Sequence, residues 1–338
     1  LLDIVAGAEA YRTGRNADPE SVEIRAVSAS ILEVKLIHPA SYFLKILCHH
    51  SFVPIHHSLL DLTDFRKAKE LIGNGPFYLY SADERQMVFL KNNLYWDARN
   101  VGLDRITVVF ERDPDKITEG FNNGTIHWAA GDINWDQVVP EEAVLMNQLY
   151  ATTYFYFDAG TPPWDNREIR RALALLVPWE EIRSEDYLYL PAATLVPRVS
   201  GYPKVQGISA AAPDEAFDLL AKNGFPEGNG LPEIRIVIPD GRETMREAEI
   251  MKEAWENRLG AAVVIEKVDS EVYYDRVEEG SYTLATLTWI GDYADPLTFL
   301  QLWTTESNLN DAGLADPVFD QMITASMGEE DAVRYKSL

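Results

Sequence analysis

The residues best suited to chemistry in this chain lie between Trp289 and Asp295, in the string Trp-Ile-Gly-Asp-Tyr-Ala-Asp. The Asp292 carboxylate follows Trp289 and Gly291 and directly precedes the Tyr293 phenol. Together they could receive a cation such as the α-amino group of a peptide, the acid supplying a charge-assisted hydrogen bond and the rings apolar walls. A second reading stands beside this one. Asp in a Gly-Asp-x-x-Asp-Pro loop commonly hydrogen-bonds its own backbone to hold a turn, and composition does not separate the two roles. His49, His50, His56 and His57 offer imidazoles of the kind that bind zinc or nickel. Metal pairs normally sit roughly two to four residues apart, however, and adjacent residues of an extended segment point to opposite faces. Cys48 is the only cysteine, so no intramolecular disulfide forms, and its apolar context reads as a small core residue rather than a nucleophile. No G-x-S-x-G, H-E-x-x-H, P-loop or G-x-G-x-x-G is present, and Asp292 and Asp295 in one loop are poorly placed to flank a sugar bond, so an enzyme is not expected.

The elements that must position these residues follow from periodicity. Residues 282–289 alternate Thr with apolar residues and read as a buried strand, ended by the turn formers Gly291, Asp292, Asp295 and Pro296. The loop therefore sits at the carboxyl end of a strand, where ligands bind in open α/β sheets. From Pro213 onward helices and strands alternate: a helix closed at Gly224, strand 234–238, helix 247–259, strand 262–268, helix 273–279, then the loop strand. That order predicts a largely parallel sheet wrapped by helices. Thr-Thr-Tyr-Phe-Tyr-Phe at 152–157 predicts a central strand, and Asp165 or Asn166 caps a helix over 167–176. Earlier, 22–27 with 31–37 and 77–81 with 86–91 predict hairpins, 42–47 a short helix, 106–110 a strand, 115–121 a helix and 126–129 a strand. Tyr95 and Trp96 are expected to bury large area beside the Asn74-Gly75-Pro76 turn.

A chain of 338 residues exceeds the size of a single core, so two domains or lobes are expected. The 46% hydrophobic and 11% aromatic content supports packed cores. Thirty Lys and Arg against 54 Asp and Glu leave a formal net charge of -24, which repels nucleic acid and anionic membrane surfaces and excludes both as partners. The longest apolar run, 172–177, is far short of a membrane span.

The string W-I-G-D-Y-A-D-P-x-x-F-L resembles the ligand loop of the extracytoplasmic peptide-binding proteins of ABC importers, the dipeptide and oligopeptide-binding family, family 5 of the solute-binding proteins. Further motifs occur in that family's order: E-V-x-L then x-P-x-x-Y-F-L-x-x-L at 33–47, N-G-P-F at 74–77, K-N-x-x-Y-W-D-A-x-N-V-x-L-D at 91–104, and L-V-P with Gly201-Tyr202. The resemblance implies an α/β, two-lobed periplasmic-binding-protein fold of type II, peptide-binding cluster, with part of an extra small domain. Residues 1–58 would be the remnant of that domain, 59–157 part of the first lobe and 158–338 the second lobe with the ligand loop. It implies that Asp292 receives the ligand's ammonium and that Trp289 walls a side-chain pocket, with Gly291 and Tyr293 in the same loop. Asp158 stands where the family usually has Asn, near a hinge at 158–163, and adds an acceptor near the cleft. A common site for the basic partner of the ligand's carboxylate matches Thr286, which carries no charge; nearby Arg276 is placed on a solvated helix face.

The function so implied is a receptor that captures short peptides between two lobes and delivers them to the membrane permease of an ABC importer. It would act without cofactor or metal, as a monomer and extracytoplasmic, in the periplasm or lipid-anchored. On this reading no signal segment is expected within this sequence, and truncation is expected at both ends. On the same fold, the alternatives are a sensor domain or a receptor for a nickel chelate, haem or an oligosaccharide.

Overall fold

The strand that carries the candidate loop is present in the computed structural model, which describes residues 1–60, 71–130, 133–184 and 189–338, and the sheet around it is parallel over the three strands after Pro213, as expected, with one antiparallel strand added. The described residues group into two units, Leu1–His49 with Leu149–Leu338, and His50–Gln148.

The first unit begins with α1 (Ala8–Arg12), followed by the expected hairpin of β1 (Ile24–Ser28) and β2 (Ile31–Val34), antiparallel with Ile24 opposite Val34. A single turn, α2 (Phe43–Ile46), comes next. Tyr42 and Ile46, four residues apart, lie on its buried face. Cys48, expected in the core, is exposed instead, because the turn that buries Ile46 carries a residue two positions on to the other side.

In the second unit β3 (Phe77–Ala82), β4 (Gln86–Lys91) and β5 (Arg105–Val109) form an antiparallel meander. The Asp83 carboxylate closes the first turn by accepting the Arg85 and Gln86 N–H groups at 2.7 and 2.9 Å. Helix α3 (Pro114–Asn122) starts at Asp113, which accepts the Asp115 N–H, with Pro in the first turn. Two expectations fail here. Trp96 is 85% exposed, so the Tyr-Trp pair does not bury its larger ring. Residues 126–129 form no strand, since the Gly120 carbonyl at the end of α3 binds the Thr125 and Ile126 N–H groups and turns the chain back.

The remainder of the first unit contains β6 (Ala151–Phe157), α4 (Arg167–Leu175), α5 (Trp179–Ile182), α6 (Pro213–Lys222), β7 (Ile234–Pro239), α7 (Arg242–Leu259), β8 (Val263–Val268), α8 (Tyr273–Glu278), β9 (Leu284–Ile290), α9 (Leu297–Leu300), α10 (Pro317–Met327) and α11 (Asp331–Ser337). The strand order is β6-β9-β7-β8; β7 runs parallel to β8 and β9, as the β-α alternation requires, while β6 runs antiparallel to β9. The Tyr-Phe-rich strand is therefore an edge of the described sheet rather than its centre. Helices cover one face, where Ile234, Ile236 and Ile238 pack with Leu173, Leu176, Met251 and Trp255. Val237 and Ala285, alternating with those residues, face Tyr156, Tyr273 and Tyr282 on the other side. Full burial of such side chains stabilises by about 1.5–3 kcal/mol each, which makes this sheet a firm base for the loop at the end of β9. No helix among the described residues is long and apolar enough to cross a membrane.

Candidate functional site

The loop leaves the sheet at Gly291, whose N–H donates to the Tyr150 carbonyl at 2.8 Å, just beyond the β6–β9 pairing. A Cβ at 291 would lie 2.5 Å from Tyr150 Cδ1 and 2.9 Å from Thr298 Cγ2, so this close approach requires glycine. Asp292 then donates its backbone N–H to Thr298 Oγ1 at 3.0 Å, and the same hydroxyl oxygen lies 3.5 Å from the Trp289 indole Nε1.

The two acids of the loop divide its work. Asp295 is fully buried, and its Oδ1 accepts the Leu297 N–H at 3.1 Å, which sets the start of α9. Its carboxylate also meets Arg334 through Nη1 at 2.7 Å and Nη2 at 2.5 Å, the Tyr335 hydroxyl at 3.2 Å and Lys45 Nζ at 3.6 Å. Arg334 reaches Asp331 at 2.6 Å, and Asp331 accepts from Ser41 at 2.6 Å. Burial alone would lower the Arg334 pKa, but the hydrogen bonds to Asp295 and Asp331 outweigh it and hold the guanidinium above its usual value. The Arg334 guanidinium also lies over the Tyr42 and Tyr335 rings at 4.8 and 5.0 Å. Asp295 is thus saturated by the protein.

Asp292 is different. Its carboxylate receives no backbone N–H among the described residues; its ion-pair neighbour is His49, with Nε2 3.5 Å from Oδ1, and 26% of the Asp292 side chain is exposed. The turn is held by the Asp292 backbone and by Asp295, which leaves the Asp292 carboxylate able to take a cationic donor. Trp289 is half-buried, and its indole shares the Thr298 hydroxyl with the Asp292 backbone. Tyr293 turns inward: it is 5% exposed and stacks on Tyr42 with centroids 6.1 Å apart, and burial pushes its pKa well up. Its ring packs the loop onto the segment before α2.

The remaining candidates lie apart from this loop. β6 and β9 pair from Ala151 opposite Ile290 to Phe157 opposite Leu284, so Asp158 adjoins the start of β9 while Asp292 follows its end. At ~3.3 Å per residue the seven-residue strand separates the two positions by roughly 20 Å, and Asp158 is not brought to Asp292. Its carboxylate accepts the Gly160 N–H at 3.0 Å and shapes its own loop. Arg276, expected on a solvated helix face, is clamped by Glu266 through Nε at 2.6 Å and Nη2 at 2.9 Å and donates Nη1 to the Gly280 carbonyl. Thr286 is buried and donates to the Tyr154 carbonyl at 3.1 Å. Of the histidines considered for metal, His49 reaches Asp292, the His56 and His57 rings lie 4.2 Å apart at a tilt of 37°, and no metal-binding group of His, Cys, Asp and Glu occurs among the described residues.

Sequence reading missed His49, Lys45, Arg334 and Tyr150 as partners of the loop. Lys45 and His49, spaced by four in a near-helical stretch, carried the only local signal. Arg334 lies 39 residues from Asp295, and no periodicity links them.

The sequence profile described as bacterial extracellular solute-binding proteins, family 5, middle, matches residues 3–311. The oligopeptide-binding protein OppA of Bacillus subtilis is 25% identical over 358 residues, covering 100% of this chain and 65% of that protein. The dipeptide-binding protein DppE of the same organism is 25% identical over 97% of this chain and 63% of its own length. The chain thus spans just under two thirds of these curated relatives. Among solved structures, the murein tripeptide-binding protein MppA of Escherichia coli superposes with a TM-score of 0.79 at 22% identity, over 99% of this chain and 69% of that one. OppA of Haemophilus influenzae in complex with RPPGFSPFR gives 0.76 at 21% identity, with the same coverage. At such identity the likeness shows the fold, that of the two-lobed periplasmic peptide-binding proteins with mixed α/β content.

Proposed function

This chain belongs to the bacterial extracellular solute-binding proteins of family 5, and we propose on that footing that it serves a receptor that captures short peptides and hands them to the membrane permease of an ABC importer. The observation that carries the reading is the contrast between the two acids of the loop. Asp295 is consumed by Arg334, Tyr335 and Lys45, whereas the Asp292 carboxylate, partly exposed, has the His49 imidazole as its one ion-pair neighbour among the described residues and is not spent on the turn. An ammonium placed there makes a charge-assisted hydrogen bond worth about 1.5–3 kcal/mol. Trp289, half-buried next to it, supplies an apolar wall for the first side chain, and Gly291 lets the loop close on Tyr150. Tyr293 supports the loop from within, and Asp158 contributes at a separate place.

In this reading the protein performs recognition and no catalysis, works as a monomer outside the cytoplasm, and needs no cofactor. The division into a small-domain remnant, a first lobe and a second lobe belongs to the same proposal. Isothermal titration with a pool of short peptides and the same pool acetylated at the N-terminus tests it. Binding of the free peptides and loss of most affinity on acetylation is expected; equal affinity for both pools removes Asp292 from the site, and no binding of either removes the peptide.

A further inference from the structure

The geometry points to Thr298 as the positioning residue of the Asp292 site, with the buried Asp295–Arg334 pair as its support. The proposal rests on the peptide reading for its functional consequence, while its structural core stands without it. Thr298 is fully buried in the first turn of α9. Its hydroxyl oxygen is 3.0 Å from the Asp292 backbone nitrogen and 3.5 Å from the Trp289 indole nitrogen. One oxygen thus accepts from the main chain of the proposed charge receptor and from the ring of the proposed wall. A hydroxyl oxygen has two acceptor lone pairs, enough for both donors.

The place of that hydroxyl is set from behind. The Thr298 N–H donates to the Asp295 carbonyl at 3.2 Å, and the Leu297 N–H to the Asp295 carboxylate at 3.1 Å. Arg334 grips that carboxylate with both Nη atoms. The path therefore runs from Arg334 through Asp295 and the first turn of α9 to Thr298 and on to Asp292 and Trp289. The Thr298 methyl lies against Gly291, where a Cβ would come within 2.9 Å of Cγ2. A carboxylate that must meet an ammonium within hydrogen-bond distance gains from a backbone held this way, because supporting contacts, more than the contacting group alone, decide whether the geometry is met.

Two variants separate a positioning role from a packing role. Thr298→Val keeps the shape and the methyl contact but removes the oxygen; Thr298→Ser keeps the oxygen and removes the methyl. The readouts are the indole N–H resonance of Trp289 and hydrogen exchange of the Asp292 amide in ligand-free protein, then the affinity for trialanine. With Thr298→Val, a shifted indole resonance, at least tenfold faster amide exchange and about tenfold weaker trialanine binding are expected, and Thr298→Ser restores all three. Faster exchange and a shifted indole in a protein that never binds trialanine retain the positioning role and discard the peptide reading. Unchanged exchange and indole signal in Thr298→Val, or a Thr298→Ser protein as impaired as the valine one, overturns the proposal. A thermal melt of each variant shows that the comparison is made on folded protein.

Discussion

Asp295 and Arg334, 39 residues apart and both fully buried, face each other with Nη1 2.7 Å from Oδ1 and Nη2 2.5 Å from Oδ2. Breaking such a pair from one side leaves a charge in the interior without its partner, at a cost of about 3–5 kcal/mol. Arg334→Leu is therefore expected to lower the urea unfolding free energy by about that amount. Lys45 at 3.6 Å and the Tyr335 hydroxyl at 3.2 Å are too few to compensate. The double variant Asp295→Asn with Arg334→Leu should recover part of the loss, because it removes the stranded carboxylate; a double variant no better than the single one contradicts this account.

Asp292→Asn is expected to leave the melting temperature unchanged and to weaken peptide binding about thirtyfold or more, the equivalent of losing one partner of a desolvated charge pair. The fold should tolerate it because the loop uses the Asp292 backbone N–H, and the carboxylate has His49 as its ionic neighbour. Calorimetry paired with a thermal melt decides between roles: a fall in stability with affinity preserved would mark Asp292 as a turn residue.

Gly291→Ala places a methyl group 2.5 Å from the Tyr150 ring, against a tyrosine that is itself packed edge-on to Phe299 at 5.1 Å. Overpacking of this kind costs about 1–3 kcal/mol and should move the loop, so both stability and peptide affinity fall. If denaturant unfolding of the alanine variant matches wild type, the approach of strand and ring is looser than these distances indicate.

Stability should also respond to acid through Asp331. Burial alone would raise this carboxyl, but hydrogen bonds from Ser41 and Arg334 and the Lys45 charge hold it down, from 3.8 to about 2. A depressed carboxylate stabilises the fold fully above its unfolded pKa and ceases to do so as pH falls through the folded one, so the loss falls between pH about 4 and about 2. The size is moderated by water, since 39% of the side chain is exposed. Urea titrations of wild type and Asp331→Asn across that window should converge toward low pH; parallel curves would remove Asp331 from the acid response.

Much of this protein was legible in the amino-acid order because the deciding interactions are local or periodic. The β-α alternation after Pro213, a cap at Asp165 or Asn166 that the structure resolves to Asn166, and the turn glycine at 291 announce themselves through spacing, and the motif around Asp292 carries the family resemblance. Which of Asp292 and Asp295 keeps its carboxylate partly exposed could not be read there, since both are turn residues by type. Only the tertiary structure decided it, by bringing Arg334, Tyr335 and Lys45 from distant segments onto Asp295 and His49 onto Asp292. The same holds for Asp158, which strand pairing carries to the far end of β9, and for the Tyr-Phe-rich strand, whose composition suits a centre but whose antiparallel pairing with β9 puts it at an edge. Sequence pattern specifies which face of an element is apolar; which elements share that face is settled by packing among residues that have no fixed separation along the chain.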